Sequence, residues 1–138
     1  MNYTSFSGEG FNAFREIKDS RPLNMLNLVK VHREVEYPNG EVVSGLEAYK
    51  RYGRLSFPIF ENLGGKIIWR GEMLFTLIGP SEKKWDFCFI AEYPSPGAFV
   101  SMVKDPDYRE AMKHRQLAVQ DSRLIRMASL PSGKNFSE

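Results

Sequence analysis

The chain has few of the residues that most often carry chemistry in proteins. Its 138 residues include one cysteine, Cys88, and two histidines, His32 and His114. A single cysteine excludes an intramolecular disulfide, and the flanking Phe87 and Phe89 favour a buried, inert thiol inside a strand. Two distant histidines and one cysteine form no evident cluster of ligands, so we predict no metal site.

Long apolar runs and an excess of one charge are also lacking. No run approaches the roughly 20 residues that span a bilayer, and residues 1–6 lack the basic-then-apolar pattern of a secretory signal. With 19 basic and 17 acidic residues, the net charge is only +2, which is too balanced to indicate nucleic acid or an anionic membrane as a partner. We therefore expect a cytoplasmic protein that binds neither.

What the chain does have is enough apolar and aromatic sequence for one packed domain. Hydrophobic residues make up 42% of it and aromatic residues 13%. A length of 138 residues suits a single domain, and aromatic side chains both fill cores and line small-molecule cavities. We predict an N-terminal extension over residues 1–23, a domain over 24–130 and a disordered tail over 131–138.

The first half of the chain alternates between helical and strand patterns. Phe11, Phe14 and Ile17 are spaced as on a short amphipathic helix. Ser44 followed by Glu47 has the form of a capping box, which marks the start of a longer helix. The patterns predict a helix over 9–19, a strand over 24–36, a helix from Ser44 to about Asn62 that Pro58 kinks or breaks, and a strand over 66–78 with a bulge at Gly71.

The second half of the chain also alternates between strand and helical patterns. Ser95-Pro96 and Asp105-Pro106 each place a capping residue before a proline, which is typical of the first turn of a helix. The patterns predict a strand over 85–93, a helical piece from Ser95, a second helical piece from Asp105 to about Gln120, and a last strand over 123–130.

The resulting order, strand–helix–strand–strand–helix–strand, is the split arrangement of ferredoxin-like α+β folds with an antiparallel four-stranded sheet. Right-handed crossovers put both helices on one face of the sheet. The other face then exposes apolar groups such as Leu26, Leu28, Cys88 and Ile90. A patch of that size seldom stays in water. We predict that a second copy covers it by two-fold symmetry, because the alternative cover, the N-terminal helix, has only three main apolar residues.

A series of short motifs follows the predicted elements in order. The motifs are Asn27-Leu28-Val29-Lys30, Tyr49 with Tyr52, Gly64-Gly65, Trp69-Arg70-Gly71, Trp85-Asp86, Tyr93-Pro94-Ser95, Asp105-Pro106-Asp107-Tyr108, His114-Arg115 and Asp121-Ser122-Arg123-Leu124-Ile125. This series resembles a bacterial domain-of-unknown-function family within the dimeric α+β barrel superfamily. The resemblance extends over about residues 24–128 and implies the fold and the dimer, but no reaction. The wider superfamily includes cofactor-independent monooxygenases, haem-degrading enzymes and ligand-binding regulators, whose ligand usually sits between sheet and helices or inside the barrel.

Arg115 is the first candidate for a functional residue, because it falls on the apolar stripe of the last helix. A guanidinium held inside should meet an anion, which is either a substrate carboxylate or an internal acid. The alternatives are an aliphatic stem that carries the charge to the surface and a structural pair with Asp86 or Asp121. Of these we favour the structural pair.

His114 precedes Arg115 and is a candidate general base or haem ligand. The haem-degrading barrel enzymes have an Asn on the first strand and a His on the second helix, and the resemblance implies Asn27 and His114 for those parts. An exposed helical histidine is the favoured interpretation. Tyr52 is the alternative group for moving a proton.

Aromatic residues supply the candidate walls of a ligand cavity. We predict that Tyr49, Tyr52, Trp69 and Tyr108 line it, with their polar groups as orienting donors, although core packing explains them equally. Arg70 joins the candidate ligand-binding residues because it adjoins the suspected bend, where strands often re-aim side chains. A surface pair with Glu72 is the alternative.

These observations lead to three functional hypotheses. The first is an enzyme that acts on a small, partly apolar organic molecule without a metal or tightly bound cofactor. In it, Arg115 orients an anionic or carbonyl group, and His114 or Tyr52 moves a proton. The second is a non-catalytic dimer that binds a small ligand. The third is a haem-binding or haem-degrading protein.

Overall fold

The computed structural model describes all 138 residues and contains one antiparallel sheet of four strands, with helices packed on one of its faces. In chain order the elements are α1 (Gly8–Glu16), β1 (Leu23–Val31), β2 (Val35–Glu36), β3 (Val42–Val43), α2 (Gly45–Asn62), β4 (Lys66–Gly71), β5 (Phe87–Tyr93), α3 (Pro96–Lys104), α4 (Pro106–Ala118) and β6 (Val119–Met127). No helix is both long and apolar enough to cross a membrane.

The order of the strands confirms the predicted ferredoxin-like α+β fold. The sheet runs β4-β5-β1-β6, so the first and third strands of the core, β1 and β5, occupy its middle. Each central strand is paired antiparallel on both sides. Strands in the middle of a sheet are the ones most often covered on both faces. The central position of β1 and β5 therefore agrees with their apolar character on both faces.

The helices begin where their capping residues predict. The Ser44 hydroxyl accepts the N–H of Glu47 at 2.9 Å, and the Asp105 carboxylate accepts the N–H of Asp107 at 2.8 Å. Pro58 does not break α2, which continues to Asn62. Pro58 is exposed and lies in the last turns of the helix, so its missing N–H removes one hydrogen bond without ending the element.

The register between β1 and β5 separates two faces of the sheet. Paired residues share a face, and successive residues alternate. Leu23 opposite Tyr93 and Met25 opposite Ala91 are buried beneath the helices. Apolar residues on the other face are half-buried or exposed, and Trp69 on β4 is 53% exposed. The uncovered face carries Leu26, Leu28, Trp69, Cys88, Ile90 and Met127.

Three boundaries differ from the predicted ones. β1 ends at Val31, and the chain then forms the separate hairpin of β2 and β3. β4 ends at Gly71 instead of continuing to residue 78, because β5 begins only at Phe87 and leaves no partner strand beyond Gly71. The bulge of β4 lies between Ile67 and Trp69, before the predicted position. β6 begins directly after α4, so Asp121 and Ser122 lie within the strand.

The connection between β4 and β5 spans residues 72–86 and contains no helix or strand. Its apolar side chains project from the protomer. Four of them are 80% to 94% exposed, namely Leu74, Phe75, Leu77 and Ile78. A long irregular connection with this composition is uncommon in a compact domain, and so many adjacent apolar side chains form a patch of the kind that marks an interface.

The N-terminal helix α1 lies against α3 and β6 and leaves the face of the sheet opposite the other helices open. The Phe14 ring lies 5.1 Å from the ring of Phe99 on α3, and the Phe14 carbonyl accepts a hydrogen bond from Arg126 on β6 at 2.9 Å. The segment before it is held by Asp121, which accepts the N–H of Tyr3 at 2.9 Å. We call residues 1–16 the strap, and it runs along β6 and the helical layer.

Asp121 is the charged anchor of this region. Its carboxylate is 2% exposed and accepts from both Lys83 and Arg123 at 2.8 Å. Burial raises the pKa of Asp121, but the hydrogen bonds from Lys83, the Tyr3 N–H and Arg123 outweigh burial and hold the pKa below its usual 3.8. A lowered pKa stabilises the fold above the unfolded value, and this stabilisation is lost as the pH falls.

We predict that Asp121→Asn lowers the free energy of unfolding by about 2–3 kcal/mol at pH 7, the cost of weakening hydrogen bonds to a charged group. The difference from the wild type should shrink as the pH falls below 4, where Asp121 in the unfolded chain is protonated. Urea denaturation at pH 7 and pH 3 measures both effects. Asp107→Asn, at an exposed position of α4, is the control. A difference that stays constant between the two pH values contradicts the role of the carboxylate.

Candidate functional site

A cavity of about 500 Å³ lies between the sheet and the helices. Most of the residues that line it are hydrophobic. Met25 and Phe89 form its floor on the central strands, while Tyr52 and Tyr108 come from α2 and α4. The volume suits a small organic ligand, and pockets of this size are typically apolar with a few fixed polar groups.

The charged side chains of the lining are all basic. They are Arg115 on α4 and Arg123 and Arg126 on β6. No Asp, Glu, His, Lys or Cys side chain lines the cavity. The structure also contains no group of three or more His, Cys, Asp or Glu side chains placed to hold a metal ion. The lining therefore carries only basic side chains on a mostly apolar wall, and of these Arg123 is paired with Asp121.

Arg115 is the most buried of these three arginines. It is 9% exposed, and its Nη1 donates to the Thr4 carbonyl of the strap at 2.8 Å. The favoured structural pair with Asp86 or Asp121 is wrong. Asp121 is occupied by Lys83 and Arg123, and the Asp86 carboxylate accepts the N–H of Val31 at 2.8 Å. Arg115 forms no salt bridge within 4 Å of its own, so a neutral carbonyl is its partner.

Two tyrosines place hydroxyl groups in the same cavity. The hydroxyls of Tyr52 and Tyr108 are 2.7 Å apart. Burial raises the pKa of Tyr108 well above 10, and the neighbouring Tyr52 adds to this shift. Burial likewise raises the pKa of Tyr49, although the charge of Arg115 opposes the shift. The phenols of Tyr49 and Tyr108 are therefore neutral at physiological pH and act as hydrogen-bond donors rather than bases.

The structure brings five of the eight candidate residues together. Asn27, Tyr49, Tyr52, Tyr108 and Arg115 all line the cavity. The Asn27 side-chain amide donates to the Met25 carbonyl at 3.0 Å, so it is held in place on β1.

The other three candidates lie elsewhere. His114 is half-buried outside the cavity, and its Nδ1 lies 2.6 Å from the Tyr37 hydroxyl of the hairpin region. Trp69 projects from the uncovered face of the sheet opposite Ile90, and Arg70 is exposed on the edge strand β4. The haem hypothesis requires Asn27 and His114 to share a cavity, and in the structure they do not.

The sequence predictions missed the contribution of the strap. Tyr3, Phe6, Phe11 and Phe14 all line the cavity. The rings of Phe6 and Phe11 lie nearly parallel, with centroids 5.4 Å apart and planes 18° apart. Aromatic residues at four positions of an otherwise polar segment were the available signal. The prediction of residues 1–23 as an extension outside the domain did not use this signal.

Comparison with known proteins gives the family of the chain. Residues 42–128, more than half of its length, match the model of a domain of unknown function, DUF1330. The chain belongs to the DUF1330 family. No curated protein matches it significantly.

Solved structures similar to this DUF1330 protein include two of one bacterial protein. The methylated RPA0582 protein is 50% identical, with a TM-score of 0.93 over 96% of this chain and 98% of that one. RPA0582 from Rhodopseudomonas palustris, described as a protein of unknown function, is 50% identical with a TM-score of 0.91 over 95% and 99%. Because the match leaves out so little of the chain, it extends over most of the strap as well as the barrel domain.

Two more distant structures support the fold alone. SnoaB, a cofactor-independent oxygenase from Streptomyces nogalater, is 14% identical, with a TM-score of 0.53 over 81% of this chain and 96% of that one. A dimeric protein of unknown function and ferredoxin-like fold from Bacteroides fragilis is 10% identical, with a TM-score of 0.51 over 78% and 96%. Both agree with the ferredoxin-like architecture of the DUF1330 protein.

We predict that Tyr49, Tyr93 and Tyr108 do not ionise together with exposed phenols when the DUF1330 protein is titrated. Burial raises the pKa of all three above 10. A raised pKa stabilises the fold below the unfolded value and loses this effect as the pH rises above about 10. Their absorbance change at 295 nm should therefore coincide with alkaline unfolding followed by circular dichroism. A full phenolate signal while the protein is still folded contradicts the prediction.

Proposed function

We propose that this DUF1330 protein binds a small, mostly apolar organic anion in the cavity between sheet and helices. The observation that carries the proposal is Arg115, a buried cation on an apolar wall whose hydrogen-bond partner is a neutral carbonyl. A guanidinium has five N–H donors and matches a carboxylate in bidentate geometry. A ligand carboxylate or enolate would supply the charge that the protein does not.

The other polar groups suit the same ligand. Tyr52 and Tyr108 place their hydroxyl groups next to each other, and Asn27 lies on the floor of the cavity. The absence of acidic side chains from the lining leaves nothing to repel an anion. The apolar walls favour a hydrophobic body on the ligand, since burial of apolar area contributes about 25 cal/mol per Å².

The chemistry that these groups support is stabilisation of negative charge. Arg115 and the tyrosine pair are donors that favour an oxyanion over its neutral form. The lining contains no His, Asp or Glu to serve as a general base, so any substrate must arrive ionised or lose its proton to water. This pattern supports a cofactor-independent enzyme that acts on a small, easily ionised organic molecule. His114 and haem have no part in the proposal.

The second candidate, a non-catalytic binding protein, is favoured by the same missing base. A sensor or carrier of organic anions needs only the cation, the donors and the apolar wall. The two candidates share the binding step and differ in whether the ligand is changed. Incubating the protein with bound probes and analysing them by mass spectrometry separates them.

We predict that 2-naphthoate binds the cavity more tightly than its neutral analogue 2-naphthamide, and that Arg115→Gln weakens naphthoate binding ten- to hundredfold. That range corresponds to about 1.5–3 kcal/mol for hydrogen bonds to a charged group. Affinity for the amide should change much less. Isothermal titration calorimetry of both probes measures the difference.

The matched control is Arg109→Gln, which removes an exposed arginine from the same helix. It should leave both affinities unchanged. Circular dichroism of the Arg115→Gln protein verifies that it is folded. Equal loss of affinity in both variants, or equal affinity of the wild type for naphthoate and naphthamide, contradicts an anion site at Arg115.

We also propose that the protein is a homodimer in which two uncovered sheet faces meet. The face contains Leu26, Leu28 and Ile90 with little cover within the protomer. The β4–β5 connection, residues 72–86, adds a second apolar surface to the same chain. A two-fold symmetric partner is the economical occupant, since one operation covers both surfaces of both copies.

Replacing Leu74 and Phe75 together by Ser should convert the proposed dimer to a monomer or raise its dissociation constant at least tenfold. Both side chains are at least 80% exposed in the protomer, so their loss should not unfold it. Sedimentation velocity at micromolar concentration gives the mass. The control is Leu130→Ser with Phe136→Ser, which replaces exposed side chains in the C-terminal tail. A monomeric wild-type protein contradicts the homodimer.

A further inference from the structure

The strap makes polar contacts with the rest of the protein mainly through its backbone. The Ser122 hydroxyl donates to the Tyr3 carbonyl at 2.8 Å, Arg115 donates to the Thr4 carbonyl at 2.8 Å, and Asp121 accepts the Tyr3 N–H at 2.9 Å. Because backbone carbonyls are neutral, these contacts position the strap without neutralising the guanidinium of Arg115. The charge remains available to a ligand.

The same segment is weakly held by apolar contacts. All of residues 1–10 are exposed, and α1 contains no buried residue. Segments with few buried contacts open at low free energy, well before the domain unfolds. Yet the side chains of Tyr3, Phe6, Phe11 and Phe14 line the cavity, so opening of the strap removes one wall of the site.

Arg115 joins the strap to the ligand position. The one hydrogen bond that its side chain forms within the protein is the one that Nη1 donates to the Thr4 carbonyl, so its other N–H groups are available to a ligand. A carboxylate that approaches the free side would meet a guanidinium already fixed by the strap. A flat ring attached to that carboxylate would pack along the nearly parallel rings of Phe6 and Phe11, where offset stacking is favourable.

We propose that residues 1–16 are a gate which opens to admit an aromatic carboxylate and closes over it, with Arg115 bound at once to the Thr4 carbonyl and to the ligand. This inference rests on the proposed anion-binding function and adds the ligand class and the moving part. Binding and closure are then one coupled equilibrium, because each ligand contact on the strap exists only in the closed state. The ligand stabilises the closed strap, and loss of the strap weakens ligand binding.

The test is hydrogen exchange of the full chain with and without 2-naphthoate. If ligand binds only the closed strap, exchange of the peptide spanning residues 1–14 slows by about 1 + [L]/Kd, which is roughly a hundredfold at 100 times Kd. Exchange in residues 36–44, the remote hairpin, should be unchanged. Saturating naphthoate that leaves the 1–14 peptide unchanged or speeds its exchange overturns the gate.

A deletion of residues 2–6 tests the same coupling from the other side. These residues are exposed and Asp121 keeps Lys83 and Arg123 when the Tyr3 N–H is removed, so the domain should stay folded, which circular dichroism verifies. The Thr4 carbonyl and the Phe6 ring are lost. The dissociation constant for naphthoate should rise at least tenfold and its dissociation rate should increase, measured by stopped-flow fluorescence. Phe6→Ala should shift both in the same direction by less.

The matched control is deletion of residues 134–138, five exposed residues at the other terminus, which should leave both constants unchanged. A strap deletion that changes neither the affinity nor the dissociation rate by more than twofold overturns the gate while leaving the anion site intact. Failure of the wild-type chain to bind naphthoate at all contradicts the proposed function instead, so the two failures are distinguishable.

Discussion

An arginine held inside the protein without an acid to pair with is the constraint on which the arrangement of the site depends. A guanidinium is charged at every physiological pH, and burial of an unpaired charge is costly. Arg115 reduces that cost with the Thr4 carbonyl and the nearby phenols of Tyr49 and Tyr108. These groups offer dipoles and no counter-charge. The guanidinium is stabilised by these dipoles but not neutralised, so the site keeps an electrostatic preference for an anion. This preference distinguishes the site from ordinary core packing.

The fold was predictable because its signals are local or periodic. Ser44 and Asp105 mark the starts of their helices as N-cap residues, and β1 and β5 are apolar on both faces, as is expected of central strands. The end of β4 was not predictable on the same basis. Residues 72–78 are as apolar as a strand, but whether they form one depends on a hydrogen-bond partner, and β5 starts too late in the chain to provide it.

The site was predictable only in part, because some of its residues are positioned by side-chain patterns and others by backbone hydrogen bonds. The tyrosines and Arg115 follow helical spacing, so their shared face could be inferred. The strap is held through backbone groups of Tyr3, Thr4 and Phe14, and backbone groups leave no trace in the residue types. The sequence also could not assign Asp121 to its partner among several cations. Two cations contact it: Arg123, two residues away on the same strand, and Lys83, which is distant in the sequence.

The two sides of the sheet are mechanically connected through that one carboxylate. Asp121 accepts the Tyr3 N–H of the strap, which covers the cavity, and also the ammonium of Lys83, which belongs to the β4–β5 connection near the uncovered face. A change in the position of either segment alters the hydrogen bonds available to the other, since the carboxylate is buried and cannot substitute water for a lost donor. The position of the strap beside the cavity and the position of the β4–β5 connection therefore depend on the same buried charge.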